Sequence, residues 1–112
     1  MQNLAAEQCV LGIETSCDET AVACVRGDGT IIGEAIHSQL VEHAPFGGVV
    51  PEIAARAHLH KLRPLVEEIV TNPQICTEGL SAVAATTGPG LIGGVIVGAT
   101  MAKALALAWD KP

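Results

Sequence analysis

Six consecutive residues, Glu14-Thr15-Ser16-Cys17-Asp18-Glu19, set three carboxylates, two hydroxyls and a thiol side by side. Hydroxyls and backbone N–H groups hold a phosphate, while carboxylates hold its magnesium or the waters of that cation. A tight turn of this composition suits a phosphorylated ligand. A solvated hairpin tip with capping residues suits it too, and spacing alone does not separate the two readings. A connector without a function is more often a two-residue Asn-Gly or Asp-Gly turn. The second stretch with chemical content is Thr87-Gly88-Pro89-Gly90. A Gly-rich turn ahead of a helix presents N–H groups beside the positive end of the helix dipole, where an anion is favoured. This turn matches neither the dinucleotide GxGxxG nor the Walker GxxxxGK[ST] pattern.

Both turns need elements to hold them. Residues 9–13 (CVLGI) form a short apolar run and predict a buried strand. Residues 20–25, rich in β-branched and small side chains, predict a second. Asp28-Gly29 marks another turn, and residues 30–40 predict a third strand, which completes an antiparallel meander. Residues 41–50, punctuated by Pro45 and Gly47-Gly48, read as a loop. Pro51 suits the first position of a helix, where its missing N–H is not needed, and Glu52 favours the positive dipole end. That helix runs to Val70 with an apolar stripe of Ile53, Ala54, Ala57, Leu62, Leu65, Val66, Ile69 and Val70. Pro64 inside it predicts a kink or a split. Arg56, His58, His60, Lys61 and Arg63 read as its opposite, basic face, either simply solvated or turned to RNA or a partner. Asn72-Pro73 closes the helix, and Thr77-Glu78-Gly79 leads to a strand at 80–87, parallel to a neighbour through a right-handed crossover. The last helix covers 91–109. Gly90, Gly94 and Gly98 give it a bare face, and tight packing of helix on sheet accounts for the last two.

The bulk properties set limits. A chain of 112 residues holds one domain at most, and with 49% apolar residues, one Phe, one Trp and no Tyr its core is aliphatic. Twelve acids against six bases, a net charge of −6, argue against an electrostatic nucleic-acid clamp made by this segment alone. RNA contacts through other domains or chains stay open. Cys9, Cys17, Cys24 and Cys76 show no CxxC spacing, so zinc is not expected, and reduced thiols in the cytosol are the simplest reading. Cys9 and Cys24 fall in strands and read as buried thiols. His58 and His60 are two apart and face different ways on a helix, and His37 and His43 have no partner at ligand spacing. The first eight residues carry neither the charge nor the apolar core of a targeting segment. Residues 79–102 are uncharged and long enough for a bilayer, but Thr86-Thr87-Gly88-Pro89-Gly90 interrupts them, so a strand–turn–helix is expected and no membrane span.

The stretches GIETSCDETAVA, HAPFGGVVPEIAARAHL, TTGPGLIGGVIVG and AKALALAWDKP occur in the order and spacing of the TsaD-type tRNA N6-adenosine threonylcarbamoyltransferases, formerly called O-sialoglycoprotein endopeptidases. The chain resembles that family from Cys9 to Pro112. The resemblance implies an α/β fold, the N-terminal lobe of an actin-like ATPase (ribonuclease H-like) fold. It has a three-strand antiparallel meander, a parallel fourth strand and two main helices. It implies a transferase, located in the cytoplasm. The N6 amine of the adenosine 3′ of the tRNA anticodon attacks the carbamoyl carbon of threonylcarbamoyl-adenylate, and AMP leaves. Iron or zinc serves as the metal. By similarity, Glu14 is the acid that ends the first strand, and Ser16, Cys17 and Asp18 form the hairpin tip near the reacting carbonyl and phosphate. Asp18, then Glu19, are the candidates for catalytic positioning. Gly88, Pro89 and Gly90 form a backbone wall of the same cleft, which takes the adenylate or ATP. The implied partners are tRNA, a paralogous TsaB-type subunit and an associated ATPase. The helices at Pro51–Val70 and 91–109 are the candidates for pairing.

One departure bears on activity. The family's metal ligands, an HxxxH pair shortly after a segment like Asp110-Lys111-Pro112 and a distant aspartate, do not occur in these 112 residues. Residues 1–112 are therefore expected to form the N-terminal lobe alone, without a second lobe or metal ligands. By itself this lobe is expected to be inactive and to have an open sheet edge prone to self-association. Two rivals remain: an actin-fold phosphotransferase, and a non-catalytic subunit like the paralogue. The paralogue typically reads DTSTEACS and GPGSFTGLR where this chain has ETSCDET and GPGLIGG. The peptidase reading needs a ligand helix such as HExxH, which is not present.

Overall fold

The computed structural model describes residues 8–75 and 79–112. Cys76, Thr77, Glu78 and the first seven residues, about which expectations were formed above, lie outside the described residues. Strand β1 (Cys9–Glu14) pairs antiparallel with β2 (Glu19–Arg26) from Cys9 opposite Arg26 to Glu14 opposite Ala21. Strand β3 (Ile31–Ser38) continues the meander, with Glu19 opposite Ser38 and a register shift at Cys24/Val25. Strand β4 (Leu80–Ala85) lies parallel to β1 on its other side, which gives the order β3-β2-β1-β4. The expected meander with a parallel fourth strand is therefore the observed sheet.

Alternation along the strands explains which face is covered. Leu11, Ile13, Val22, Cys24 and Ala35 turn to one side, where Leu62, Val66, Ile69 and Ala102 from the two long helices close over them. Gly12, Ala21, Ala23 and Ala84 turn to the other and line an open hollow of about 420 Å³ that reaches Glu14 and Thr86.

Helix α1 (Leu40–His43) and a 3₁₀ turn (Ala44–Phe46) occupy most of the segment expected to be loop, and β3 stops at Ser38 rather than running to Leu40. The chain turns at Gln39, whose N–H donates to the Asp18 carbonyl at 3.0 Å. Gly47, at φ 71°, ends the 3₁₀ turn.

Helix α2 (Pro51–Val70) begins at Pro51 as expected and runs 20 residues without the split expected at Pro64. Pro64 sits on the exposed side of α2, as does His60, whose carbonyl loses its usual helical donor there. The buried stripe of α2 is Ala54, His58, Leu62, Val66 and Ile69. His58 therefore leaves the basic face on which it was expected. It stands at the i, i+4 position between Ala54 and Leu62 and is 0% exposed. Helix α3 (Ile92–Trp109) follows β4 through the Gly-rich turn. It is long and apolar enough to cross a membrane by length and composition. Here it lies on the sheet and on α2, with Gly94, Val95, Gly98 and Ala102 buried.

Candidate functional site

The β1–β2 ladder stops at the Glu14–Ala21 pair, so the residues between them form a tip shaped by other bonds. The Ser16 N–H turns back to Glu14 Oε1 at 2.5 Å. Partial burial of the Glu14 carboxyl opposes its ionisation. The Ser16 hydroxyl and N–H and the Thr86 hydroxyl outweigh that burial and hold Glu14 below the usual carboxylate range. Glu14 is thus an ionised acceptor at the end of β1, on the same face as the open hollow.

Thr15 points inward and is buried, and its hydroxyl donates to the Gly94 carbonyl at 2.7 Å. Helix α3 comes this close because a Cβ at Gly94 would overlap the Thr15 carbonyl oxygen, and one at Gly98 would overlap the Thr15 hydroxyl. Close packing of α3 thus uses Gly94 and Gly98 as expected. Gly90 acts at the tip itself. The Leu91 N–H donates to the Ser16 carbonyl at 2.8 Å, and a Cβ on Gly90 would fall 2.7 Å from both the Ser16 Cβ and its carbonyl oxygen. That N–H, one of those expected to face an anion, is directed at Ser16.

The acidic bend and the Gly88-Pro89-Gly90 bend are therefore joined through Ser16 and Gly90. Gly88, Pro89 and Gly90 are exposed beside the tip, and the Gly88–Pro89 bond is cis. Cys17, Asp18 and Glu19 are also exposed and stand on the far shoulder of the tip. Asp18 is tied there through its carbonyl to Gln39, and Glu19 opens β2 opposite Ser38. Slight desolvation and the adjacent Asp18 carboxylate push the Cys17 thiol above its ordinary range, so it is a neutral thiol and not a thiolate. Cys24 is buried as expected, and burial next to Cys9 raises its thiol to about 11, while Cys9 is only half-buried.

Sequence reading missed the layer behind the tip. The Val50 N–H donates to His43 Nδ1 at 3.1 Å, which leaves the proton on Nε2, 2.8 Å from Gln39 Oε1. Gln39 Nε2 then donates to the Ala54 carbonyl at 3.2 Å. His58 Nε2–H donates to the Cys17 carbonyl at 3.0 Å, and Nδ1 accepts from the Thr20 hydroxyl at 2.8 Å. Burial lowers the His58 pKa and keeps the ring neutral, against the pull of the Cys17 carbonyl and of Glu14 and Asp18. The four-residue spacing Ala54-His58-Leu62-Val66 was the available signal for His58.

Both ring nitrogens of His58 and of His43 are engaged. Among the described residues no group of three or more His, Cys, Asp or Glu side chains converges as metal ligands. Iron or zinc does not fit these residues. What they offer is carboxylate, hydroxyl and backbone-amide chemistry.

Comparison with known proteins bears on the family and the fold. A family profile described as TsaD, tRNA N6-adenosine threonylcarbamoyltransferase, matches residues 30–112. Curated proteins with that same description extend the match over the hairpin. One from Paramagnetospirillum magneticum is 60% identical over 103 residues, 92% of this chain and 30% of its own length. One from Erythrobacter litoralis is 57% identical with the same coverage. One from Rhodopirellula baltica is 49% identical across all 112 residues, 31% of its length. The chain thus spans about a third of the curated relatives it matches. Among solved structures, YeaZ from Pseudomonas aeruginosa superposes with a TM-score of 0.69 at 23% identity, over 94% of this chain and 41% of that one. The fold is the α/β actin-like ATPase fold. The sheet, the joined bends and a profile match over most of the length lead to one conclusion: this chain belongs to the tRNA N6-adenosine threonylcarbamoyltransferase (TsaD) family.

Proposed function

We propose that this chain is the N-terminal lobe of a transferase that moves a threonylcarbamoyl group from threonylcarbamoyl-adenylate to the N6 amine of the adenosine 3′ of the anticodon in tRNA. In that reaction the C–N6 bond forms, the C–O bond to the adenylate phosphate breaks, and AMP leaves with one N6 proton transferred to a base. Asp18 and Glu19 on the exposed shoulder accept from the N–H groups of the reacting partners to orient them, or receive that proton. Ser16 and the Gly88-Pro89-Gly90 wall supply hydroxyl and backbone contacts to the phosphate. Glu14, already ionised, acts as an acceptor for a cation's waters or a ribose hydroxyl and not as an acid. The family's iron or zinc is held by residues other than those described here, and the enzyme works in the cytoplasm.

The observation that carries this reading is the Leu91–Ser16 bond at 2.8 Å, which makes two polar bends one lip. The implied partners are tRNA, a TsaB-type subunit and an associated ATPase. The groove lined by Leu59, Leu62, Ile96, Val97, Thr100 and Met101 between α2 and α3, about 390 Å³, supports docking of the subunit through these helices.

The test is transfer by the full-length protein with its partners, read as N6-threonylcarbamoyladenosine in digested tRNA by mass spectrometry. Modified tRNA with stoichiometric AMP is expected. ADP release without modified tRNA would instead identify a phosphotransferase.

A further inference from the structure

Beneath the tip lies a buried polar layer to which the proposed reaction assigns no part. Thr20, Gln39 and His58 are each 0% exposed, and His43 is 5% exposed. An aliphatic residue at position 58 would continue the stripe of α2 without burying polar nitrogens, so the histidine has another reason to be there. Its bonds show which segment it serves. His58 Nε2–H reaches the Cys17 carbonyl at 3.0 Å and Nδ1 takes the Thr20 hydroxyl at 2.8 Å. The Gln39 N–H holds the Asp18 carbonyl at 3.0 Å, and Gln39 Nε2 packs 3.3 Å from His58 Nδ1. Gln39 is fixed in turn by Ala54 and by His43, which the Val50 N–H orients. Residues 17, 18 and 20 are each tied by one of these bonds, in a stretch where the β1–β2 ladder has already ended. On the opposite shoulder Ser16 is held by Leu91. The tip is clamped from both sides: on the side carrying Asp18, the Gln39 N–H holds Asp18 and the neutral His58 imidazole of α2 holds Cys17.

We infer that His58, supported by Gln39 and Thr20, is a positioning residue that fixes the backbone of Cys17 and Asp18 and so places the Asp18 carboxylate for threonylcarbamoyl transfer. The inference rests on the functional reading above, and its test keeps the two apart. In the full-length transferase three variants are compared. His58→Leu removes both ring nitrogens at similar volume. His58→Gln keeps an N–H within reach of Cys17. Ile69→Ala opens the core on the same helix, away from the tip. Each is assayed below its own Tm for kcat and KM. His58→Leu is expected to lose about tenfold or more in kcat/KM, chiefly in kcat, because small displacements of a positioned group are costly. His58→Gln is expected to recover to within about threefold of wild type, and Ile69→Ala to match wild type even where its Tm falls as far. A merely structural histidine would give His58→Leu the kinetics of wild type once folded, and that result overturns the inference. If His58→Leu does not fold, Thr20→Val takes its place, with a fall in kcat expected and unchanged kcat overturning it. If wild type itself transfers nothing to tRNA, the functional reading fails. Hydrogen exchange of the amides of residues 17–19 then decides about His58. Exchange faster in His58→Leu than in Ile69→Ala supports the clamp, and equal rates remove it.

Discussion

Asp18 holds its place through a backbone carbonyl and leaves its carboxylate exposed, so side-chain chemistry and folding are separable there. Asp18→Asn in the full-length protein is expected to lower kcat/KM for transfer by about 10- to 100-fold, while Tm stays within the range of ordinary surface changes. An unchanged rate would leave the carboxylate without a part in catalysis. Glu14 and His58 both titrate with folding. Glu14 is held below its ordinary 4.5, so its share of stability is complete above that value and is lost as pH falls through the folded pKa. His58 is held below 6.5 by burial, so the unfolded chain binds the proton first, and stability falls as pH drops below about 6.5. Thermal melts between pH 7.5 and pH 5 are expected to show a declining Tm that flattens in His58→Gln. Parallel curves for the two proteins would contradict a buried neutral ring.

At the scale of elements, α3 sits where it does because two of its turns lack a side chain. Alanine gains about 1 kcal/mol of helix propensity over glycine at an ordinary helix position. At Gly94 the added carbon meets the Thr15 carbonyl and, at 3.1 Å, the His58 ring. Backbone cannot step aside as a flexible side chain does, and overpacking costs about 1–3 kcal/mol. Gly94→Ala is therefore expected to lower stability in denaturant titrations despite its helix preference. A stabilised variant would mean that α3 stands farther from the tip than described. The Thr15–Gly94 bond makes the same join from the other side. Helix α2 contributes its long apolar stripe to the core and, one residue within it, the clamp on the tip.

Across the whole molecule, the described residues cover the sheet on one face, with β3 and β4 outermost among its four strands. The Val83 N–H on the outer side of β4 donates to the Pro112 carbonyl at 2.9 Å, so the chain returns alongside that edge. Leu59 and Ile96 between the two long helices are 64% and 56% exposed. Edges and apolar grooves of this kind favour association, and the 112-residue chain alone is expected to form dimers or larger species at about 100 μM in sedimentation experiments. A monomer at that concentration would refute this. The isolated chain is also expected to leave tRNA unmodified, since it carries one lip of the proposed cleft. Modified adenosine appearing with this chain alone would overturn that expectation.

By itself the sequence determined the antiparallel meander with its parallel fourth strand, the start of α2, the strand–turn–helix at the Gly-rich bend and the family. Each is written in local signals: alternation, Pro at a first helical turn, glycine spacing, contiguous motifs. Pro64 misled because its effect depends on which side of the helix faces water. His58 misled because residue type suggested solvent where position in the stripe dictated burial. Only the tertiary structure decided that Ser16 meets Gly90, and that Gln39 and His43 from α1 and its cap converge with His58 of α2 behind Cys17 and Asp18. Those contacts join residues up to 79 positions apart, as Thr15 and Gly94 are. Whether a buried polar side chain finds a partner depends on what folding brings beside it, and no short-range pattern along the chain records that.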